Sequence, residues 1–328
     1  MQDSIRKLER FFLICFGLLV LMLIYWQVIR ADVLLARDDN PRTIIAEQRI
    51  QRGAIKDANG IILAETIIDE QGLAARAYPY PAFGAILGYY SLRYGTDGLE
   101  RVYDTRLRGD GTQSLLEQWM HQPQQGQAIH TTLQSQAQLA AVSAFAEVDA
   151  NGAMIVINAE TGAILVMTSH PTFDPNTLDS QWDDLIADPN APLFNRATQG
   201  LFPVGDMARL IGLISQQEIN RTLSPLDLQK PIPDLFASFR LEDLQNIINR
   251  LQLNQEVNFI LPSATVDLPE DIRTKAQEIT ITPLHLAMIG CAISQEGLVP
   301  GPFISTQDVP IQAEKQSFMA GGTAKSIF

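Results

Sequence analysis

A run of 19 uncharged, mostly apolar residues near the N-terminus constrains this chain more than any other feature. It extends from Phe11 to Ile29. A helix of about 20 apolar residues spans the hydrocarbon of a bilayer. The apolar core of a signal peptide is shorter, roughly 7–15 residues, and precedes a small-residue cleavage site. A helix buried in a protein core would normally show a polar stripe. The run therefore predicts an uncleaved transmembrane anchor over residues 11–29.

The residues around this run predict its orientation. Arg6, Lys7 and Arg10 precede it, and Tyr25 and Trp26 lie near its far end. Positive charge is retained on the cytoplasmic side of a membrane, and Trp and Tyr prefer the interface. We therefore expect a cytoplasmic tail over 1–10 and a single-pass type II topology in the plasma membrane, with the bulk of the chain outside the cytoplasm.

Composition excludes several classes of function. The 328 residues include 24 Lys and Arg against 37 Asp and Glu, a net charge of −13, which argues against nucleic acid as a partner. The two cysteines, Cys15 and Cys291, are too few for a disulfide-stapled scaffold or a cysteine-rich zinc site. The four histidines lack metal-ligand spacing, and no phosphate loop, dinucleotide fingerprint or G-x-S-x-G motif occurs. We expect neither a metal nor a cofactor.

Beyond the anchor the residue pattern changes along the chain, and the length is typical of about two domains. Residues up to Gln125 carry short extended runs with turn signals such as Asn59-Gly60, a hairpin signal because both residues tolerate positive φ. The polar stretch Pro123–Gln127 indicates a linker. The pattern predicts a β-rich membrane-proximal domain over 37–125 and a second domain over 126–328.

The second domain has a mixed pattern. A helix is expected around Ala137–Val148, followed by a hairpin whose strands, 153–157 and 163–167, flank the turn Asn158–Gly162. After Pro203 the apolar spacing becomes helical. The predicted apolar face of one later helix consists of Leu241, Leu244, Ile247, Ile248 and Leu251. The whole chain is therefore expected to be α+β.

Five short segments have the form of family signatures. Each alone would be an ordinary structural signal; Thr282-Pro283, for example, is a typical helix start. Together, and in this order, they resemble the signatures of class B penicillin-binding proteins. The segments are Arg52-Gly53-Ala54-Ile55-Lys56-Asp57-Ala58-Asn59-Gly60 with Leu63-Ala64; Gly98-Leu99-Glu100 with Tyr103-Asp104 and Leu107-Arg108-Gly109; Gly152-Ala153 through Thr161-Gly162-Ala163-Ile164-Leu165 to Pro171-Thr172-Phe173-Asp174-Pro175-Asn176; Asn195-Arg196-Ala197 with Gln199-Gly200-Leu201-Phe202-Pro203; and Thr282-Pro283-Leu284-His285-Leu286-Ala287.

The resemblance implies an architecture and partners. It implies an N-terminal transmembrane helix, a β-rich pedestal domain and a serine-transpeptidase/β-lactamase-like domain. That last domain is expected to be C-terminally shortened, because family members continue beyond the position of Phe328 with further central strands. It also implies a bacterial, membrane-bound role in peptidoglycan synthesis. The partners would be a polytopic glycan polymerase and cell-division or elongation proteins, with peptidoglycan itself as a further candidate.

The family's chemistry depends on three motifs: S-x-x-K, S-x-N and K-[ST]-G. This sequence does not have the residues of these motifs at the expected positions. Where S-x-x-K is expected, Phe202-Pro203-Val204-Gly205 is followed by Asp206 and Arg209. An aspartate attacking an amide would form a mixed anhydride, uphill from the amide. Arginine stays protonated and cannot act as a base. None of the family's catalytic residues is therefore intact. Instead, Asp206 is predicted to be a helix N-cap that pairs with Arg209.

The three motifs do not occur in another register. S-x-x-K is found only at Ser4–Lys7 in the predicted cytoplasmic tail, S-x-N is absent, and no lysine precedes Ser/Thr-Gly. The segment Ala320–Ala324 is either a worn AGKTG, with Gly322 in place of lysine, or a flexible tail. The pair Asp183-Asp184 is expected to be a solvated face.

Three functional hypotheses follow. The first is a pseudoenzyme: a non-catalytic scaffold or regulator of a glycan polymerase in cell-wall synthesis. The second is an active peptidoglycan D,D-transpeptidase that binds penicillin. The third is a decaying gene fragment. Covalent labelling by a fluorescent penicillin separates the second from the first.

Overall fold

The computed structural model describes residues 2–30, 47–70, 72–111, 124–148, 150–219, 229–307 and 315–327. The chain forms two compact units, one ending at Ile50 and one beginning at Gln51. In the first unit, helix α1 covers Gln2–Ile24 and continues as a π-helical turn over Tyr25–Ile29. The segment Arg6–Gln27 is long and apolar enough to cross a membrane. This helix is compatible with the predicted anchor, and its orientation stays a prediction.

The second unit begins with short strands and short helices. A four-stranded sheet has the order β3-β2-β1-β6, with β1 at Ile55–Lys56, β2 at Ile62–Ile68, β3 at Ala74–Ala77 and β6 at Ile129–His130. Strands β1 and β2 are antiparallel, whereas β1 and β6 are parallel. The elements are β1 (Ile55–Lys56), β2 (Ile62–Ile68), β3 (Ala74–Ala77), α2 (Gly84–Leu87), β4 (Tyr90–Ser91), β5 (Gly95–Thr96), α3 (Gly98–Val102), α4 (Asp104–Arg108) and β6 (Ile129–His130).

The turn between β1 and β2 confirms the predicted hairpin. Gly60 has a φ of +84°, in the left-handed region that favours glycine. The carboxylate of Asp57 accepts hydrogen bonds from the backbone amides of Asn59 and Ile61, both at 2.8 Å. Asp57 therefore closes the turn from inside, which explains why an aspartate precedes Asn-Gly in this signature.

The rest of the second unit combines one long hairpin with several helices. Strand β7 (Gly152–Ile157) pairs with β8 (Ile164–His170), as predicted. The later elements are α5 (Ser135–Ala146), α6 (Leu178–Ala187), β9 (Phe202–Pro203), α7 (Ala208–Glu218), α8 (Ile232–Ala237), α9 (Leu241–Arg250), α10 (Ile272–Lys275), β10 (Thr280–Ile281), α11 (Pro283–Ser294), β11 (Leu298–Val299), β12 (Gln316–Ser317) and α12 (Gly321–Ile327). The α+β prediction is confirmed.

Helices α9 and α11 can be compared with their sequence predictions through burial and capping. On α9, Leu244 and Ile247 are buried, Leu251 just beyond it is also buried, and Leu241 at its start is exposed. The apolar face is thus as predicted except at its first turn. Helix α11 begins as predicted: the hydroxyl of Thr282 accepts a hydrogen bond from the amide of His285, and proline follows the cap.

Two segments predicted to be loose are packed. In the predicted linker, the amide of Gly126 donates to Gln51 O at 2.7 Å, and residues 124–127 run beside 51–53. At the C-terminal end, the flexible-tail alternative is wrong. Gly322 lies in the first turn of α12, Ala324 is buried, and Lys325 pairs with Glu296 at 3.1 Å. Backbone hydrogen bonds hold the first segment, and helix α12 with the buried Ala324 holds the second.

The boundary between the two predicted domains stays a prediction. Part of the range 37–125 lies outside the described residues. Across the predicted boundary at 125/126, strand β6 pairs with β1, and the hydroxyl of Ser135 donates to Asp57 at 2.7 Å. The first helix after the boundary is therefore attached to the first sheet by a buried carboxylate.

Candidate functional site

The start of helix α7 is where the family motifs place a nucleophile. Strand β9 pairs antiparallel with β10, and a single 3-10 turn over Gly205–Met207 joins it to α7. Residues Ile211 to Gln216 of α7 are buried. A buried helix thus presents its N-terminal end at the surface, which is a good frame for a reactive side chain.

The predicted capping role of Asp206 is wrong. Its side chain is exposed and makes no capping hydrogen bond. The 3-10 turn already begins at Gly205, so Asp206 lies inside the turn. A capping residue instead has extended backbone and stands before the first helical residue. Within the described part of the chain, the Asp206 carboxylate has no ion-pair partner.

The predicted pair between Asp206 and Arg209 is also absent among the described contacts. The guanidinium of Arg209 instead donates a hydrogen bond to the carbonyl oxygen of Lys230, just before α8. Arg209 therefore ties the start of α7 to the α8 segment. A guanidinium stays protonated, so in this position it can orient backbone but cannot accept a proton.

An apolar cleft of about 410 Å³ adjoins this turn. Of its lining side chains only that of Asn151 is polar, and none is a serine, cysteine, lysine or histidine. The lining consists of Phe145, Asn151, Gly152, Ala153, Phe202, Pro203, Val204, Met207, Ile281, Pro283 and Leu286. The described cleft could hold an apolar group, but its walls carry no nucleophile and no base.

The other candidate residues are not among those that line this cleft. Ser4 and Lys7 lie on α1, in the other compact unit. His130 is in β6, His170 ends β8, and His121 lies outside the described residues. Among the residues that the structure describes, no group of three or more His, Cys, Asp or Glu side chains could hold a metal. Both described cysteines are free. Asp183 and Asp184 lie on α6, at its solvated side.

His285 is a buried titratable residue that sequence reasoning did not single out. Its side chain is on α11, next to the lining residue Leu286, and its Nε2 lies 2.9 Å from Leu251 O. Its Nδ1 is buried and has no hydrogen-bond partner in the described structure. Burial lowers the pKa of His285, and the hydrogen bond to Leu251 raises it by less. The neutral imidazole is therefore favoured here.

A second cluster missed by sequence reasoning joins Arg52, just before β1, to Arg76 of β3 and Glu100 of α3. Glu100 is fully buried and accepts from Arg52 at 2.8 Å and from Arg76 at 2.6 Å. Arg52 also pairs with Asp104 at 2.6 Å. The Arg52 guanidinium carbon lies 4.4 Å from the ring centroid of Tyr90. The signal was present in the sequence, because Arg52 and Glu100 each occupy one of the recognised signatures.

Comparison with known proteins supports the sequence resemblance. The family model described as the penicillin binding protein A dimerisation domain matches residues 52–129. The peptidoglycan D,D-transpeptidase PbpA of Mycolicibacterium smegmatis is 32% identical over 228 residues, which cover 64% of this chain and 46% of that protein. The peptidoglycan D,D-transpeptidase MrdA of Escherichia coli is 33% identical over 120 residues, 35% of this chain and 18% of that one.

Solved structures show the same fold. Penicillin-binding protein A from Mycobacterium tuberculosis, solved as its imipenem acyl-enzyme complex, superimposes with a TM-score of 0.76 at 20% identity. The match covers 86% of this chain and 81% of that one. At this identity the likeness concerns the fold alone. Against the curated PbpA sequences, the chain spans 46% of their length.

Proposed function

Because this chain belongs to the class B penicillin-binding proteins, we propose that it serves bacterial peptidoglycan synthesis as a membrane-anchored scaffold or regulator of a glycan polymerase, without acyl-transfer activity. The observation that carries this proposal is the pair of residues at the start of α7. Asp206 and Arg209 occupy the positions where the family's serine and lysine are expected. What these two side chains can do decides the chemistry of the site.

Acyl transfer at this position would need a nucleophile and a base. Attack by the Asp206 carboxylate on an amide carbonyl would form an acyl anhydride and expel an amine, and this product is less stable than the amide. A serine forms a stable ester only when a neighbouring base takes its proton. Arg209 stays protonated and is engaged with Lys230 O. The pair therefore supports a site without acyl transfer.

The surroundings of the pair support the same conclusion. The adjoining cleft is apolar, and its described walls hold no second serine or lysine that could substitute in a shifted register. Without a nucleophile, this cleft could bind a peptide only reversibly. We therefore expect neither penicillin nor a peptidoglycan stem peptide to become covalently attached.

If the chain does not catalyse acyl transfer, its function depends on the anchor and the pedestal. Helix α1 is compatible with a membrane anchor, and the family model matches the dimerisation region over 52–129. The buried Arg52–Glu100 cluster holds that region together. The PbpA and MrdA proteins are peptidoglycan D,D-transpeptidases by name. We propose that the retained parts contact a polytopic glycan polymerase of the same cell-wall machinery.

Fluorescent-penicillin labelling tests the absence of catalysis. The full chain in a neutral detergent is incubated with the probe and analysed on a denaturing gel. PbpA of M. smegmatis is the positive control, and heat-denatured chain is the negative control. We expect no covalent band. A hydroxylamine-sensitive band on the folded chain would instead support the alternative of an active D,D-transpeptidase, which the 32% identity to PbpA favours.

Co-purification tests the partner. The tagged chain is extracted from its native membrane, and glycan polymerases are quantified by mass spectrometry. The matched variant replaces residues 11–29 with an unrelated transmembrane helix. We expect enrichment of a polymerase that falls with this variant. No enrichment with either chain would contradict the scaffold, and equal recovery with both would assign the contact to the pedestal alone. A decaying fragment would in addition show no cooperative unfolding transition.

A further inference from the structure

The π-helical turn that ends α1 changes which side chains meet at this end of the helix. The turn covers Tyr25–Ile29, and the amide of Arg30 closes it by donating to Tyr25 O at 2.9 Å. In an α-helix, residues five positions apart lie about 140° apart around the axis, so their side chains do not meet. A π-helical turn is wider and hydrogen-bonds residues five positions apart. It therefore brings the side chain of Arg30 onto the face of the helix that carries Tyr25.

Two contacts join the side chains of Arg30 and Tyr25. The Nε of Arg30 donates a hydrogen bond to the Tyr25 hydroxyl at 3.1 Å, and its guanidinium carbon lies 5.9 Å from the centroid of the Tyr25 ring. The ring of Trp26 meets that of Tyr25 edge to face, with centroids 5.5 Å apart. The guanidinium is therefore oriented by a tyrosine, and Trp26 supports that tyrosine.

These contacts leave hydrogen-bond donors available. A guanidinium has five N–H groups, and within the described residues only the Nε–H of Arg30 has a side-chain partner. The Tyr25 hydroxyl accepts from Arg30 and keeps its own proton to donate. The two Nη groups and this hydroxyl are thus three neighbouring donor groups, and one of them carries a positive charge.

The length of α1 places these donors at a membrane interface. Arg10 and Arg30 directly flank the uncharged run. At a rise of about 1.5 Å per residue they are about 30 Å apart along the axis, which is the thickness of a typical hydrocarbon core. Tyrosine and tryptophan prefer the interface, and arginine side chains extend toward it. Tyr25 and Trp26 are 40% and 47% exposed, so both are open to surrounding lipid.

A phosphodiester is the ligand chemistry that fits these donors. The fork of a guanidinium matches two oxygens of a phosphate group. Because Tyr25 occupies the Nε of Arg30, the two Nη groups form the open fork. Arg30 is also the C-cap residue, and its charge offsets the partial negative charge of the helix end. A phosphate at this end therefore meets a cation in a fixed orientation.

We propose that Tyr25 and Arg30 form a binding site for the phosphodiester group of one membrane phospholipid, in the leaflet at the C-terminal end of α1. The predicted type II orientation makes this the outer leaflet. The proposal rests on the membrane anchor of the proposed function and adds to it a lipid ligand. It attributes lipid binding to the π-helical turn, which positions Arg30 on Tyr25, and not to the charge of an arginine alone.

The test uses the full chain in a neutral detergent with added dioleoyl phosphatidylglycerol, and native mass spectrometry measures how much of this lipid the chain retains. Digalactosyl diacylglycerol, which contains no phosphate, is the control lipid. Inorganic phosphate is added separately as a free anion. We expect saturable retention of phosphatidylglycerol at concentrations where the galactolipid is not retained. Inorganic phosphate should not displace the lipid.

Variants of α1 locate the site. Arg30→Gln removes the fork and should weaken retention of phosphatidylglycerol about tenfold. Tyr25→Phe keeps the ring but removes the hydroxyl, and it should weaken retention by a smaller factor. The matched control combines Arg30→Gln with Gln27→Arg, which restores the charge at the same end of α1. Residues two positions apart on a helix do not face each other, so this guanidinium cannot contact the Tyr25 hydroxyl. The double variant should retain lipid as weakly as Arg30→Gln.

Flotation separates the lipid site from the membrane anchor. The parent, Arg30→Gln and Tyr25→Phe chains are inserted into vesicles of phosphatidylglycerol and digalactosyl diacylglycerol, washed at alkaline pH and centrifuged in a density gradient. All three chains should float with the vesicles. A parent chain that does not float would contradict the anchor and the site together. If Arg30→Gln alone fails to float, Tyr25→Phe decides the question, because it leaves the charge unchanged.

Four outcomes on a parent chain that floats would overturn the site alone. These are equal retention of phosphatidylglycerol and the galactolipid, unchanged retention in Arg30→Gln or in Tyr25→Phe, recovery of retention in the double variant, and displacement of the lipid by inorganic phosphate. Recovery in the double variant would show that charge alone attracts the lipid. Displacement by inorganic phosphate would assign the donors to a free anion instead.

Discussion

Arginine and a carboxylate occur together at two places in this protein, with opposite outcomes. In the pedestal, Arg52 and Glu100 are buried and joined at 2.8 Å, and Arg76 holds the other carboxylate oxygen at 2.6 Å. At the start of α7, Asp206 is exposed and unpaired within the described residues, and Arg209 contacts a backbone carbonyl instead. Similar residue types are thus part of the core in one region and surface groups in the other.

The difference lies in desolvation. A charge removed from water must find its partners in the protein, so Glu100 takes both arginines and each arginine is held in one geometry. A charge that remains in water needs no partner, and a surface pair contributes roughly 0–1 kcal/mol. The spacing from Asp206 to Arg209 allows a pair, but nothing at the surface requires one.

The largest effect is expected from breaking the buried cluster. Glu100→Gln keeps the shape, but it leaves Arg76 without a described counter-charge and Arg52 with Asp104 alone. It should lower the free energy of unfolding by about 3–5 kcal/mol. Urea unfolding followed by circular dichroism measures this loss. Glu160→Gln, at an exposed glutamate, is the control and should stay within about 0.5 kcal/mol of the parent. Equal losses of stability in Glu100→Gln and Glu160→Gln would contradict the expected difference between buried and exposed charges.

A smaller effect is expected at Asp57. Burial raises the pKa of this carboxyl, but hydrogen bonds from the Ser135 hydroxyl and from the amides of Ile61 and Asn59 lower it by more, so the pKa is below its usual range. The carboxylate therefore stabilises the fold above its ordinary pKa of about 3.9, and this stability is lost as pH falls. Asp57→Asn should reduce stability by about 1–3 kcal/mol at pH 7. A gap from the parent that stays constant from pH 7 to pH 3 would contradict this.

His285 is a buried imidazole with a described hydrogen-bond partner at Nε2 but not at Nδ1, and its effect on stability can be measured. Its pKa is lowered in the folded chain, mainly by burial. Below about pH 6.5 the unfolded chain binds a proton that the folded chain resists, so stability should decrease as pH falls. The slope can reach at most about 1.4 kcal/mol per pH unit for one proton. Thermal unfolding between about pH 7.5 and 5 measures the slope, and His285→Gln should flatten it. An unchanged slope in the variant would assign it to another group.

At the surface carboxylate the expected effect on stability is close to zero. Asp206→Ala should change the free energy of unfolding by less than about 0.5 kcal/mol, because the side chain makes no capping bond. Loss of a true N-cap would instead cost about 0.5–2 kcal/mol. A loss in that upper range, measured by thermal unfolding, would restore the capping interpretation.

Restoring the residues of the nucleophile motif is expected to have no effect on acylation. Asp206→Ser with Arg209→Lys rebuilds one motif of three, and one lost oxyanion donor alone can reduce the rate by about 10²–10³. Catalytic groups that act as a unit are strongly non-additive. The double variant should therefore remain unlabelled by fluorescent penicillin beside PbpA. Hydroxylamine-sensitive labelling at residue 206 would show that the site is still preorganised.

Local patterns predicted much of the fold. The hairpin of β7 and β8, the Asn59-Gly60 turn and the Thr282 cap depend on nearest neighbours in sequence, so they could be identified directly. The cap at Asp206 could not, because the 3-10 turn begins at Gly205, two residues before the start that a cap at Asp206 requires. Sequence patterns locate an element more reliably than its first residue.

The amino-acid sequence by itself determined three features: the apolar anchor segment, the order of the signatures, and the residue types at positions 206 and 209. It was sufficient because these features depend only on composition and spacing. Which charges are buried depended on the folded chain. Arg52 and Glu100 are 48 residues apart in sequence, and folding alone brings them to 2.8 Å. Folding likewise placed Gln138 against the backbone of Met167 at the edge of β8, 29 residues away in sequence.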